Sequence, residues 1–107
     1  MYLKVNSKKI EIKEYIKFKD RFKSFRFYLY PIDFGIRYNK KKIASTYFFC
    51  QKVDICFTDK DNIILDLYHN VPSERRLFDF KAYYIYYLPL ETCKYLEIGK
   101  KLDIKEK

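Results

Sequence analysis

The stretch Ser45–Asn70, STYFFCQKVDICFTDKDNIILDLYHN, constrains the fold more than any other part of this chain. Val53, Ile55 and Phe57 alternate with Asp54, Cys56 and Thr58, the period of a half-buried strand. Asp59-Lys60-Asp61-Asn62 follows. Asp and Asn in such a run bond their own backbone and tolerate left-handed angles, so the run reads as a turn. Ile63–Tyr68 is then the return strand, and Ser45–Cys50 upstream reads as a short apolar strand that Gln51-Lys52 breaks off. A hairpin alone is marginal in water, so the remaining chain must supply more sheet.

It does so on both sides. Residues 2–5 and 9–13 alternate apolar and polar around a turn-like Asn6-Ser7-Lys8, which predicts an N-terminal β-hairpin. Tyr15, Phe18, Phe22, Phe25 and Leu29 follow at spacings of 3, 4, 3 and 4. That spacing predicts an amphipathic helix, with Lys17, Asp20, Arg21, Lys23 and Ser24 on its solvent face and Pro31 as its stop. Ile32–Ile43 reads as a strand or extended loop. Ser73–Arg76 and Glu91–Tyr95 read as short helical turns, Ala82–Leu88 as a tyrosine-rich strand, and Leu102–Lys105 as a closing strand. The predicted class is therefore α+β: a mainly antiparallel, curled or barrel-like sheet with one amphipathic helix, in a single domain spanning 1–107.

The charge narrows the functional classes. The net charge is +9, and residues 1–52 carry 14 Lys or Arg against 4 acids, while residues 53–107 are close to balanced. Such asymmetry fits a nucleic-acid surface or a solvated basic face. Lys outnumbers Arg 18 to 5, and Phe, Tyr, Met, Ile, Asn and Lys make up 57 residues. AT-rich codons favour those residues, which lowers the weight of the lysines as a functional signal. The best local anion site is Lys40-Lys41-Lys42, a shorter tract than the five to eight that usually mark nucleic-acid patches. Nucleic-acid binding predicts that Lys17, Lys23, Lys40, Lys41 and Lys42 converge on one face beside exposed rings.

Chemistry-bearing motifs are sparse. Cys50, Cys56 and Cys93 are odd in number and sit among apolar residues, which predicts buried, reduced thiols in a cytoplasmic protein. Only Cys93–His69 or Cys50–His69 could form a nucleophile–base pair, and nothing in the sequence places them together. No C-x-x-C spacing suggests zinc, no glycine-rich loop suggests a nucleotide, and Asp54, Asp59, Asp61 and Asp66 lack calcium-loop spacing. Catalytic residues, metal and cofactor are therefore all read as none. No stretch has the length of a signal peptide's apolar region or of a membrane span. The leading expectation is a non-enzymatic interaction or structural domain with a protein partner or a second copy of itself. Nucleic-acid or anion binding through the basic N-terminal half is the rival, and a membrane surface has least support.

From Asp20 to Ile104 the chain resembles the domain of unknown function 192 family. A segment of the type HTFFM-x-x-x-IDV-x-FLDKDG-x-V appears as Ser45-Thr46-Tyr47-Phe48-Phe49-Cys50, then Val53-Asp54-Ile55 through Ile64. VLELPAG appears as Ile85–Glu91, VGD-x-L as Ile98–Leu102, and R-x-x-GLM as Arg21–Arg26. Several family residues differ here: Ser45 stands for His, Cys50 for Met, Ser24 for Gly, Arg26 for Met, Tyr87 for Glu, Glu91 for Gly and Lys100 for Asp. The resemblance implies a small, curled, mainly β domain with a flanking helix, and no known activity. Thr46, Asp54, Asp59 and Asp61 are the signature positions it singles out, with Asp54 expected to order the turn into its strand or to line a groove.

Overall fold

The computed structural model describes residues 1–15, 25 and 28–106. Nine strands lie among them: β1 (Tyr2–Val5), β2 (Lys8–Tyr15), β3 (Gly35–Asn39), β4 (Ile43–Ser45), β5 (Val53–Thr58), β6 (Ile64–Val71), β7 (Arg76–Phe78), β8 (Tyr84–Leu88) and β9 (Ile104–Lys105). Seven form one sheet in the order β6-β5-β8-β3-β2-β1-β9, and β4 and β7 form a separate ribbon. All pairings are antiparallel except β2–β3, whose crossover is residues 16–34.

Local chemistry sets these elements. Val5 pairs with Lys8, so Asn6 and Ser7 form a two-residue hairpin turn, and both have positive φ as a type I′ turn requires. In the β5–β6 turn, Asp59 Oδ1 accepts the N–H groups of Asp61 (2.9 Å) and Ile63 (3.0 Å), and Asn62 takes φ 64°. Gly35 opens β3 where the backbone runs against β2 and β8. A Cβ there would lie 2.6 Å from Ile12 Cδ1 and 3.0 Å from Leu88 Cδ2.

The large sheet curls until its ends meet. The N–H of Ile64 donates to Lys100 C=O (2.8 Å), Gly99 to Ile64 C=O (2.8 Å) and Leu102 to Asn62 C=O (2.9 Å). The chain then continues into β9, which pairs with β1. One apolar cluster fills the concave side, with Leu3, Val5, Ile12, Cys56, Ile64, Tyr86, Leu88, Cys93 and Leu102. A second covers the convex side, where Ile36, Tyr38, Ile55, Phe57, Ile85 and Tyr87 pack against Phe25, Ala44, Phe49 and Ala82. The two faces explain the composition. A sheet buried on both sides needs large side chains on both, and Tyr and Phe supply that volume.

The predicted α+β class is overturned. About half of the described residues are strand, and the helical content among them is the 3₁₀ turn Cys93–Tyr95. The amphipathic helix fails at its start, because Glu14 and Tyr15 belong to β2. Residues 16–24, 26 and 27 of that predicted helix lie outside the described residues. The alternation of the first hairpin simply continues, and Glu14 pairs with Arg37 across the parallel junction. Counting aromatic spacing alone missed this tertiary pairing. Phe25 is buried against the rings of Tyr28, Phe34 and Phe49.

Three smaller expectations also change. The strand placed at Ser45–Cys50 lies at Ile43–Ser45, and Phe48 turns the chain at φ 67°. Ser73–Arg76 is not a helical turn, since Arg76 opens β7, whereas Glu91–Tyr95 does contain one. β5 is buried on both faces rather than one, because it is a central strand between β6 and β8.

Candidate binding groove

Asp54 organises the site. It is fully buried on β5, on the concave side of the sheet. Val53 pairs with Val71 and Ile55 with Tyr68, so His69 and Asn70 bulge opposite Asp54. Asp54 Oδ1 accepts the N–H of Asn70 (3.0 Å), which sits at φ 52°. Oδ2 accepts the N–H of Cys93 (2.9 Å) at the start of the 3₁₀ turn. One carboxylate thus fixes both a bulge and a turn 39 residues downstream. Glu91 enters that turn at φ 73°, and Pro89 C=O receives both the N–H (3.3 Å) and the hydroxyl (2.7 Å) of Thr92.

The turn presents Lys94 and Tyr95 to a groove with two lobes. The first, of about 510 Å³, lies between the β1–β2 hairpin and Pro89–Tyr95, with Ile10, Pro89 and Leu90 as apolar wall and Lys8, Lys9 and Lys94 at hand. The second, of about 440 Å³, runs towards the C-terminal segment and Lys4, Lys100 and Lys101. Val5, Lys94 and Tyr95 line both. Tyr95 is 48% exposed, with the Lys94 ammonium 5.2 Å from its ring centre. Asp33, Glu91, Glu97 and Asp103 also line the lobes. Glu91 is paired with Lys94 (2.8 Å) and Asp103 with Lys105 (3.1 Å), which leaves the groove positive on balance.

The other residues singled out from the sequence lie elsewhere. Thr46 is buried beneath the ribbon; its hydroxyl donates to Pro72 C=O (2.7 Å) and accepts the N–H of Arg75 (2.9 Å). Asp59 is used by its own turn, and Asp61 is exposed beside it. The three lysines do not converge. Lys40 is exposed at φ 52°, the Lys41 ammonium lies 4.8 Å from the Tyr38 ring centre, and Lys42 Nζ donates to Phe80 C=O (2.8 Å) and Ala82 C=O (3.2 Å). Lys17 and Lys23 lie outside the described residues. The Cys93 thiol points to Ile55 C=O at 3.7 Å, and burial pushes it and Cys56 well above the ordinary thiol range. Cys50 and His69 are exposed. Among the described residues no His, Cys, Asp and Glu cluster could hold a metal ion, and no helix is long and apolar enough to cross a membrane.

The groove residues Lys8, Lys9, Lys94, Tyr95, Lys100 and Lys101 had no local signal. They are short lysine pairs and one Lys-Tyr step, far apart in the chain, and only the closure of the sheet brings them together.

A carboxylate pair lies on the convex side. Asp66 on β6 shares a hydrogen bond with Asp79, and that bond, burial and the Asp79 charge push Asp66 up to about 6. Native protein therefore holds a proton that the unfolded chain releases above the ordinary 3.8. The stabilisation from this group is complete below that value and is lost as pH rises through about 6. Asp66→Asn keeps the bond without the proton. It is expected to gain stability over wild type between pH 5 and pH 7, by less than about 1 kcal/mol because the pair is largely solvated. Urea unfolding at both pH values checks this, and an equal difference at each would refute it.

No family model matches the chain, and no curated protein matches its sequence. Two solved structures are similar in fold. One is a candidate transcription regulator from Sinorhizobium meliloti, with a TM-score of 0.75 at 16% identity over 94% of this chain and 88% of that one. The other is a protein of unknown function from Novosphingobium aromaticivorans, with a TM-score of 0.76 at 12% identity over 96% and 82%. Identities this low show a shared fold alone.

Proposed function

We propose that this chain is a non-enzymatic binding domain whose groove takes an acidic segment of a protein partner. The observation that carries this reading is Tyr95. Its exposed ring lies on the lining common to both lobes, with Lys8 and Lys9 on one side and Lys100 and Lys101 on the other. An aromatic platform ringed by cations suits an extended anionic chain, since the ring supplies contact area and the lysines steer approach. Nucleic acid is the second reading, favoured by the description of the Sinorhizobium meliloti structure as a candidate transcription regulator. Three free cysteines support a reducing, cytoplasmic setting.

We also propose a divergent membership of the domain of unknown function 192 family. Backbone angles support it. The family patterns carry glycine at the positions of Asn62, Glu91 and Gly99, and all three have positive φ here: 64°, 73° and 91°. Left-handed backbone is the physical reason for glycine at such positions, so the pattern matches geometry even where the residue has changed. Thr46 and Asp54 act as clamps in this structure, which fits a signature of folding rather than of catalysis.

Fluorescence anisotropy with an acidic decapeptide and a single-stranded oligonucleotide, each at low and high salt, tests the reading. Peptide binding is expected, with roughly tenfold weakening on Lys94→Glu or on Lys100→Glu with Lys101→Glu. Alanine at Lys40 and Lys41 should change little. Oligonucleotide binding with a steep salt slope would favour the second reading. Binding of neither probe would overturn both.

A further inference from the structure

The β4–β7 ribbon has one covered edge and one open edge. Along it the N–H of Asp79 donates to Lys42 C=O (2.9 Å) and that of Thr46 to Arg75 C=O (3.0 Å). Antiparallel pairing alternates, so Ala44 and Leu77 face each other in the same way, while Ile43, Ser45, Arg76 and Phe78 turn their backbone groups outward. On the β4 side the Tyr87 hydroxyl takes up Ser45, accepting its N–H (2.9 Å) and donating to its C=O (3.1 Å). On the β7 side no described residue bonds the N–H or C=O of Arg76 or Phe78. Phe78 is 59% exposed and Phe80 74%. Natural edges are blunted by shortness, charge, proline or a bulge; β7 is three residues long and carries Arg76, but it has no lysine, proline or bulge, and its outward backbone groups stay open.

We propose that β7 is the seam of a symmetric dimer, pairing antiparallel with β7 of a second copy about a dyad at Leu77. In that register Arg76 lies opposite Phe78 of the second copy, and the reverse. The four outward N–H and C=O pairs become four interchain hydrogen bonds, and each guanidinium meets a phenyl ring. One step further out, Arg75 lies opposite Asp79 of the second copy at both ends. Asp79 already shares a hydrogen bond with Asp66, and no described cation lies in ion-pair range of either carboxylate. The second copy's arginine supplies that cation.

Charge selects both the occupant and the register. Outward-facing residues can pair in steps of two. Shifting one way sets Arg76 against Arg76 of the second copy, and shifting the other way sets Arg75 against Lys81. Of these registers, only the one centred on Leu77 sets unlike charges against each other, Arg75 opposite Asp79, and sets no like charges together. The seam is short, so it belongs with small, weak interfaces under ~1,000 Å², with a dissociation constant on the order of 10–1,000 µM.

Sedimentation of the full chain over a range of concentration tests this. Wild type is expected to rise from 13.3 kDa towards twice that mass. Arg75→Glu, at an exposed side chain, should weaken the dimer at least about tenfold, and Arg75→Asp with Asp79→Arg should restore it. Phe78→Pro removes the outward N–H and the phenyl ring of the seam but no bond to β4, so it should abolish the dimer while leaving the circular dichroism unchanged. A wild type that stays monomeric throughout overturns the proposal. A dimer that survives both Arg75→Glu and Phe78→Pro with unchanged affinity also overturns it, because its seam lies elsewhere.

Discussion

Asp54→Ala is expected to lower the stability of this domain by about 3 kcal/mol, one of the two largest losses expected from a polar substitution on the concave face. The carboxylate accepts two backbone N–H groups and has no contact with solvent. Hydrogen bonds to a charged acceptor contribute about 1.5–3 kcal/mol each. The two losses differ, because Asn70 is exposed and its N–H can turn to water, whereas Cys93 is fully buried and its N–H cannot. Asp54→Asn keeps one acceptor oxygen and sets an amide NH₂ against the other N–H, so roughly half the loss is expected. For a domain of about this size, 3 kcal/mol corresponds to a fall in melting temperature of about 12–24 °C. Asp61→Ala is the control: its side chain is exposed, and the change should stay within about 0.5 kcal/mol. Urea unfolding of the three variants measures this. If Asp54→Ala and Asp61→Ala shifted the midpoint equally, Asp54 would not be a clamp. The same variants report on the groove. Asp54 holds the start of the turn that carries Lys94 and Tyr95, so Asp54→Asn should weaken peptide binding under conditions where it remains folded.

Much of the sheet was legible because its signals are local. The Asn6-Ser7 turn and the self-bonding Asp59 each lie within a few residues, and each is formed as read; β5 is a strand where its alternation placed one, although its neighbours bury both of its faces. Long-range pairing was illegible. Tyr15 begins a run of aromatics at helical spacing, yet it lies in β2 because Glu14 meets Arg37 across a junction 23 residues away in sequence. The fold class was misjudged for that reason. Neighbours in sequence are also not neighbours in function within the basic N-terminal half. Lys40, Lys41 and Lys42 are adjacent in sequence but have different partners, and Lys42 is bound to two carbonyls of the β7–β8 connection. The lysines that do gather come from β1, β2, the 3₁₀ turn and the segment before β9. Clustering by topology leaves no trace in a charge plot.

The second large effect is expected at Glu14, in the interior network that the parallel junction creates. Arg37 projects to the concave side, with its side chain 9% exposed, and its guanidinium lies 4.2 Å from the Tyr84 ring centre. Its Nε donates to Glu14 Oε2 (2.8 Å), and a second guanidinium nitrogen also bonds that oxygen. A third donates to the Tyr86 hydroxyl (3.3 Å), which in turn donates to Asn62 Oδ1. The chain of bonds thus ties β2, β3 and β8 to the β5–β6 turn. Glu14→Ala leaves the arginine charged, enclosed and without its anion, for an expected loss of about 3 kcal/mol. Arg37→Leu should cost less, about 1–2 kcal/mol, because Glu14 is 28% exposed and can be hydrated, and Tyr86 still bonds Asn62. Arg37→Lys is not a rescue, since one ammonium cannot span Glu14 and Tyr86 in the geometry of the planar fork. The decisive comparison is the double variant Glu14→Ala with Arg37→Leu. Removing both charges abolishes the uncompensated cation, so the pair should be more stable than Glu14→Ala alone. Losses that simply add would show that solvent, not Glu14, balances Arg37, and the network would then be an effect of the curled sheet rather than one of the restraints that hold it.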